Sequence, residues 1–410
     1  MTGIALNQRK AAIAFILVTV ILDVLSLGLI IPVGAKLIKQ LVGGDNVLAS
    51  WYVGLFGTIW AFMQFFSAPI MGALSDRFGR RPVLLISAFG LGLDYILLAL
   101  APDLTWLFVG RIITGITAAS FSTAQAYMAD VTSHENRSAA FGMFGAAFGL
   151  GFILGPAMGG WLMDFDLRLP FWVSAALTLT NAMYGYFVLP ESLPIEKRTK
   201  FRWSRANPLG SLRLLLSKPG LLPMALTLFL YQLAHHVFQN VFVLYTDERF
   251  GWSGSMVGAS LATVGVLNFI VQGVLIRPAM KRFGERLLVF IGLTGGIIGF
   301  TAYSMAPTGE LFFASTIIFA IMGFFSASIQ GVMSKQLGPT EQGQLSGANS
   351  SLGGISGMIG PLLFTRVYGR TIMPDSKYYW PGAPFALAAA ILGLALALAI
   401  VYVPKQPKGR

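Results

Sequence analysis

Long apolar stretches, each ended by a short cluster of charged, Gly or Pro residues, recur along the whole chain. About 20 apolar residues at 1.5 Å rise cross a hydrocarbon core of roughly 30 Å, and the runs Ala11 to Val33 and Pro384 to Val403 reach that length. Read this way, the pattern predicts helices near 11–34, 51–74, 82–101, 104–129, 138–163 and 170–189. Six more are predicted near 222–246, 254–276, 287–306, 310–335, 343–367 and 381–403. The longest polar interruption, Pro190 to Gly220, separates the two sets. The expected fold is an all-α integral membrane protein of twelve transmembrane helices. Its expected parts are one six-helix bundle in 1–189, a cytoplasmic linker in 190–221 and a second bundle in 222–410.

The two halves share landmarks at a constant offset. Gly79 and Gly284 each follow an Arg-Phe pair in a basic loop, and Pro156 and Pro361 each follow Gly on a glycine-rich helix; both pairs are 205 residues apart. A parallel repeat of six plus six helices is the plan of transporters that rock two bundles about a central site.

Composition removes the soluble alternatives. Of 410 residues, 55% are hydrophobic and 11% charged, against about a quarter charged in soluble domains. The 47 glycines suit close helix packing in lipid. A net charge of +12 would suggest nucleic acid in a soluble protein, but topology accounts for it. With both termini cytoplasmic, 21 of the 29 Lys and Arg fall on that side, 7 outside, and Arg111 within a span. The expected location is a multi-pass place in the bacterial cytoplasmic (inner) membrane. The first span is too long for a signal peptide and lacks a small-residue cleavage site, so it reads as a retained helix. Seven of the basic residues (Lys197, Arg198, Lys200, Arg202, Arg205, Arg213 and Lys218) lie in the linker, which reads as a solvated loop beside anionic lipid. There is no cysteine, no metal-ligand set and no nucleophile beside a base. The expected chain is therefore not an enzyme and needs no metal or cofactor, drawing energy from a proton gradient. Its expected partners are a small molecule, protons and lipid; it would bind no nucleic acid and act as a monomer.

Polar residues inside the spans are the candidate chemistry, because each costs free energy in lipid unless it meets a partner or a wet cavity. Asp23 and Asp94 each lie about twelve residues, roughly 18 Å, into the first and third helices. Carboxylates that take up a proton in place are what proton coupling requires; a structural, hydrogen-bonded role is the other reading. Arg111, with Gly110 before it and Gly115 a turn later, either holds an acidic partner or snorkels outward. The seventh helix carries Gln232, His235, His236, Gln239 and Asn240, of which 232, 235, 236 and 239 share one face. Helical phase sets the two histidines about 100° apart, so that one serves a cavity while the other packs. Asn268 and Gln272 form an i, i+4 pair on the eighth helix; Gln64, Gln330 and Asn349 are single mid-span amides. These amides are read as substrate contacts or as interhelical glue.

The loop Gly72-Ala-Leu-Ser-Asp76-Arg77-Phe-Gly79-Arg80-Arg81 resembles the signature loop of the major facilitator superfamily. Gly72 would permit close helix contact, Gly79 a tight turn, Asp76 a seat on the positive end of a helix, and Arg80 a pair with Asp130. Such a cluster latches one conformation and releases another. The fifth helix, with Gly145, Gly149, Gly151, Gly155-Pro156 and Gly159-Gly160, resembles the superfamily's antiporter motif, with Pro156 as an expected kink. In that family the motif accompanies exporters. Segments Leu22 to Pro32, Asp76 to Leu85, Asp94-Tyr95, Gly110 to Gly115, Tyr245 to Trp252, Gln330 to Ser334 and Gly360 to Phe364 are similar to the tetracycline/proton antiporters over nearly the whole chain.

This resemblance implies the superfamily fold and efflux of a small amphiphilic, drug-like compound, of the tetracycline type or another, in exchange for protons. It implies proton coupling at Asp23 and Asp94 tuned by Arg111, and gating at Asp76, Gly79, Arg80, Asp130, Gly155 and Pro156. Gln64 and Gln272 match amides of the family's drug-binding region. Where the family commonly has a histidine in the eighth helix this chain has Asn268, and where it has an aspartate in the ninth it has Gly296. Both positions are implicated there in coupling protons to a metal-chelated drug. The paired histidines of the seventh helix are expected to take over part of that role. Proton-coupled uptake of an organic anion or nutrient is the alternative reading.

Overall fold

A computed structural model of the chain describes residues 6–117, 120–133, 136–201, 203, 207–338, 341–376 and 379–404. Arg202 and Arg205 of the linker lie outside the described residues. The first half contains α1 (Leu6–Leu41), α2 (Asn46–Phe78), α3 (Arg80–Leu100), α4 (Leu104–Thr117), α5 (Ser120–Val131), α6 (Arg137–Met163) and α7 (Leu169–Val188). The second contains α8 (Leu221–Phe250), α9 (Gly254–Phe269), α10 (Ile276–Met305), α11 (Gly309–Ala320), α12 (Phe324–Ser334), α13 (Gln342–Thr371) and α14 (Ala383–Tyr402).

These helices make the twelve expected passes. The fourth comprises α4 and α5, and the tenth comprises α11 and α12, joined by a 3-10 turn at Ile321–Gly323. Gly284, at φ 73°, splits α10 into the end of the eighth pass and the whole of the ninth. Its repeat mate Gly79 stands at φ 107° between α2 and α3, so the 205-residue offset joins two chain breaks of the same left-handed kind. Among the described residues, nine stretches are long and apolar enough to cross a membrane by length and composition. Helix is the form that satisfies every backbone group in lipid from within one segment.

Several helices overrun the apolar runs that announced them. α1 continues to Leu41, seven residues past the expected end, and α2 begins at Asn46, five before the expected start. Outside the hydrocarbon, helix no longer needs apolar residues, and caps set the ends instead. Asp45 Oδ1 accepts from the N–H groups of Val47 and Leu48 at 2.8 and 3.0 Å, and Asp103 Oδ1 from those of Thr105 and Trp106 at 2.8 and 3.3 Å. A larger departure lies in the eighth pass, where Ile270–Leu275 winds as a π-helix between α9 and α10.

Close contacts group the chain into two compact units. Unit 1 holds 1–37, 59–207 and 253–262; unit 2 holds 38–58, 208–252 and 263–410. In unit 1, α1 crosses α6 with backbone against backbone: a Cβ on Gly155 would stand 2.7 Å from Gly28 Cα. α6 runs on as one helix through Pro156. Unit 2 is held by an aromatic cluster in which Tyr303 and Phe312 stack at 4.4 Å and Tyr245 and Phe385 meet edge to face at 5.1 Å.

Candidate functional site

Unit 1 carries both intramembrane acids. Asp23 on α1 accepts a hydrogen bond from Asn181 Nδ2 of α7 at 3.1 Å, and Thr19 Oγ1 donates to Asn181 Oδ1 at 3.2 Å. One α1 face thus binds its partner helix through a Thr-Asn-Asp chain. Asn181 was missed from sequence, although an amide in the middle of an apolar span is itself the signal.

Asp94 on α3 is 1% exposed. Its Oδ2 is hydrogen-bonded to Thr114 Oγ1 of α4, and Thr114 Oγ1 also lies 2.8 Å from Gly110 O. Thr114 has one hydroxyl hydrogen and two places to send it. If it goes to Asp94, the ionised carboxylate accepts it; if it goes to Gly110 O, a protonated Asp94 donates to Thr114 instead. The same heavy-atom arrangement therefore serves both protonation states. Among the described residues, Asp94 Oδ1 has no hydrogen-bond partner. Arg111, one residue after Gly110, interacts electrostatically with Asp94 without forming a contact ion pair, and its Nη2 reaches towards Gly34 of α1. Arg111 is thus near Asp94 without binding it directly.

The charged loop of unit 1 is a network. Arg80 Nη1 lies 2.6 Å from Asp76 Oδ1, and Arg80 Nε lies 3.2 Å from Asp130 Oδ2, which also accepts from Ser192 Oγ at 3.2 Å. The expected Arg80–Asp130 pair is thus present. Two other expectations are corrected. Asp76 does not sit on the positive end of α3, because Glu191 is there, accepting from the N–H groups of Arg80 and Arg81 at 2.9 and 3.3 Å. Gly72 makes no close helix contact, for a Cβ there would meet nothing within 4 Å. Glu191 also lies 3.7 Å from Arg198, tying the linker to this loop.

At the far end of α6, Asp164 accepts from the N–H groups of Gly254 and Ser255 at 2.7 and 2.8 Å, capping α9. Burial pushes its carboxyl up, but hydrogen bonds from Ser255 and Gly254 outweigh that and hold it below the ordinary carboxylate value.

Gln64 belongs to unit 1, whereas Gln232, His235, His236, Gln239, Asn240, Asn268, Gln272, Gln330 and Asn349 belong to unit 2. Their environments differ. His235 is stacked between Tyr231 at 6.3 Å and Phe319 at 6.1 Å, so it is the packing member of the pair. His236 Nδ1 lies 3.1 Å from Gln239 Oε1, and its Nε2 lies 3.4 Å from Ser356 Oγ of α13. Asn240 Nδ2 donates to the backbone oxygen of His236 at 2.9 Å, and Gln330 Nε2 to Ser326 Oγ at 3.3 Å; both act as local ties. Gln232 Oε1, His235 Nδ1 and Asn349 Oδ1 are buried without a hydrogen-bond partner among the described residues. Buried acceptors of that kind are where a donor-bearing ligand gains most.

Asn268 and Gln272 flank the start of the π-helix, with Gln272 Nε2 donating to Asn268 Oδ1 at 3.5 Å. Asn268 lies against Gly323 of the 3-10 turn. Two irregular turns therefore pack side by side in unit 2. Irregular backbone at membrane depth is tolerated where it is buried in protein or lines a cavity, and in transporters it marks binding regions.

The sequence matches the Major Facilitator Superfamily over residues 16–361 and 224–410. It is 37% identical to the class C tetracycline resistance protein of Escherichia coli over 94% of this chain and 95% of that one. It is 34% identical to the class D protein of Salmonella ordonez over 98% and 99%. Its fold superposes on the crystal structure of a D-xylose-proton symporter with a TM-score of 0.77 at 19% identity, covering 96% and 98% of the two chains. The chain belongs to the Major Facilitator Superfamily, which makes it a multi-pass membrane transporter, and it stands in the branch that holds the tetracycline resistance proteins.

Proposed function

We propose that this chain exports a small amphiphilic compound, of the tetracycline type, in exchange for protons by alternating access. The carrying observation is Asp94: a buried carboxyl whose hydroxyl partner has an alternative acceptor, so that a proton can come and go without rearranging heavy atoms. Asp23, held by Asn181, is the second acid. Two relatives named for tetracycline resistance match over nearly the full length and support a drug-like substrate. Export rather than uptake fits those names. With Asn268 and Gly296 at the positions where the family commonly has a histidine and an aspartate, this reading assigns substrate contacts to other polar groups of unit 2, chiefly Gln232, His236 and Asn349.

The basic loops and linker lie at the cytoplasmic face, both termini with them, in a bacterial cytoplasmic membrane. There Lys197, Lys200 and Arg213 of the linker, exposed like Trp203 and Leu216, rest on anionic lipid. The protein works as a monomer and draws on the proton gradient.

Inverted vesicles with an acidic interior test this reading. Tetracycline accumulates inside them, and its addition dissipates the pH gradient. Movement of substrate down the proton gradient, or accumulation indifferent to a protonophore, overturns antiport.

A further inference from the structure

Ser356 Oγ lies 2.8 Å from Gly353 O of its own helix and 3.4 Å from His236 Nε2, so its one hydrogen has two places to go. Nδ1 faces Gln239 Oε1 at 3.1 Å, an acceptor, and carries a proton towards it. With the Ser356 hydrogen given to Nε2 the ring is a neutral imidazole; with that hydrogen given to Gly353 O, Ser356 accepts from Nε2–H and the same atoms seat an imidazolium.

We infer that His236, Gln239 and Ser356 form a second proton-binding site, in unit 2, switched by the Ser356 hydroxyl. The assignment rests on the antiport reading for its purpose but not for its geometry. A proton arriving on Nε2 sends the Ser356 hydrogen to Gly353 O, while Nδ1–H stays on Gln239 Oε1. Gln239 is exposed on α8 and so is open to a ligand. Proton binding and ligand contact would then share one side chain.

Among the described residues, the surroundings are otherwise free of charge. His235, the neighbour on α8, is stacked on Tyr231 and Phe319. α13 presents Ser356 and Gly360 to the ring, and Gly360 leaves the space that the imidazole occupies, for a Cβ there would stand 2.5 Å from His236 Cβ. α12 and α14, which also pack on α8, contain no Asp, Glu, Lys, Arg or His. Arg213 of the short helix Gly210–Leu216 is exposed, and Arg366 and Arg370 of α13 lie ten and fourteen residues beyond Ser356, about 15 Å or more along the axis. Any proton at this site is therefore held by the two hydrogen-bond acceptors and not by a carboxylate.

The protein has three histidines, His134, His235 and His236, so 15N-histidine labelling of the full chain in lipid nanodiscs resolves them, with His134→Gln and His235→Gln as assignment variants. The expected result is a signal, absent from His236→Gln, that passes between imidazolium and neutral imidazole between pH 5 and 8 and moves on adding tetracycline. Gln239→Glu, which fixes a charged acceptor on Nδ1, raises that midpoint by about one unit or more, and Ser356→Ala lowers it. A His236 ring that stays neutral across the range with and without tetracycline overturns the site, as does a midpoint that Gln239→Glu leaves unmoved. Failure of the vesicle test with a titrating His236 would sink antiport and leave the proton site standing.

Discussion

Replacing Gly155 by Ala tests how α1 and α6 are joined. An ideal Cβ on Gly155 would stand 2.7 Å from Gly28 Cα and 2.8 Å from Leu25 O. Carbon atoms settle at about 3.5–4.0 Å, so the two helices must part by about 0.8 Å or more, 3.5 minus 2.7. Both obstructing atoms are backbone, and no side-chain rotation relieves them. Overpacking of this kind costs about 1–3 kcal/mol. At about 2.1 cal/mol/K per residue, and with 410 residues, that is a fall of about 1–4 °C in unfolding midpoint. Gly145 on the same helix and in the same motif is the control, because a Cβ there meets nothing within 4 Å. Gly145→Ala removes only the helical penalty of glycine, a gain of about 0.5–1 kcal/mol. Heating the purified variants in mild detergent and measuring the monodisperse fraction gives both midpoints. Equal midpoints, or Gly155→Ala the more stable, refute the close crossing.

Further expectations concern the charged groups. Asp164→Ala removes the cap of α9 and costs about 1 kcal/mol at neutral pH. Since the folded carboxyl titrates below its ordinary 3.8, the stabilisation is complete at pH values well above 3.8 and is lost as pH falls through the folded value. A gap between variant and wild-type melting that does not shrink in acid contradicts this. Glu191→Ala uncaps α3 and frees Arg198, lowering the melting midpoint by a comparable amount, whereas Asp76→Ala leaves the α3 terminus capped and costs less; the reverse order would return Asp76 to that role. Lys39 and Asp247, 2.7 Å apart and both about a quarter exposed, couple by about 0.2–1 kcal/mol in a double-mutant cycle. The coupling shrinks at high salt, and a salt-independent value would mean a contact of another kind.

Much of this was legible in the sequence for physical reasons. Lipid forces apolar helices of fixed length, so most of the passes follow from hydropathy, while α7 and α13 are placed by the charged and Gly/Pro-rich breaks around them. Gly79 and Gly284 were visible as a repeat because both positions need a left-handed backbone. Arg80 and Asp130 were readable as opposite charges at neighbouring helix ends. The misses lie where tertiary packing decides. Asp76 and Glu191 are both acids near basic loops, and the choice of which caps α3 depends on where the chain returns after α7. The π turn at Ile270–Leu275 leaves no local mark, since Ile270, Val271 and Val274 suit a regular helix equally well. His235 and His236 are adjacent in sequence, and it is Phe319 and Ser356, from distant helices, that make one a packing residue and the other a hydrogen-bonded one.

Proton coupling through Asp94 is most directly measured by comparing two transport modes of Asp94→Asn in proteoliposomes. Counterflow of labelled against unlabelled tetracycline needs no net proton movement, and it continues in this variant. Accumulation driven by an imposed pH gradient, and the proton release that accompanies substrate entry, are both lost. If Asp94→Asn still accumulates tetracycline against its gradient at the expense of the proton gradient, Asp94 is not a coupling acid.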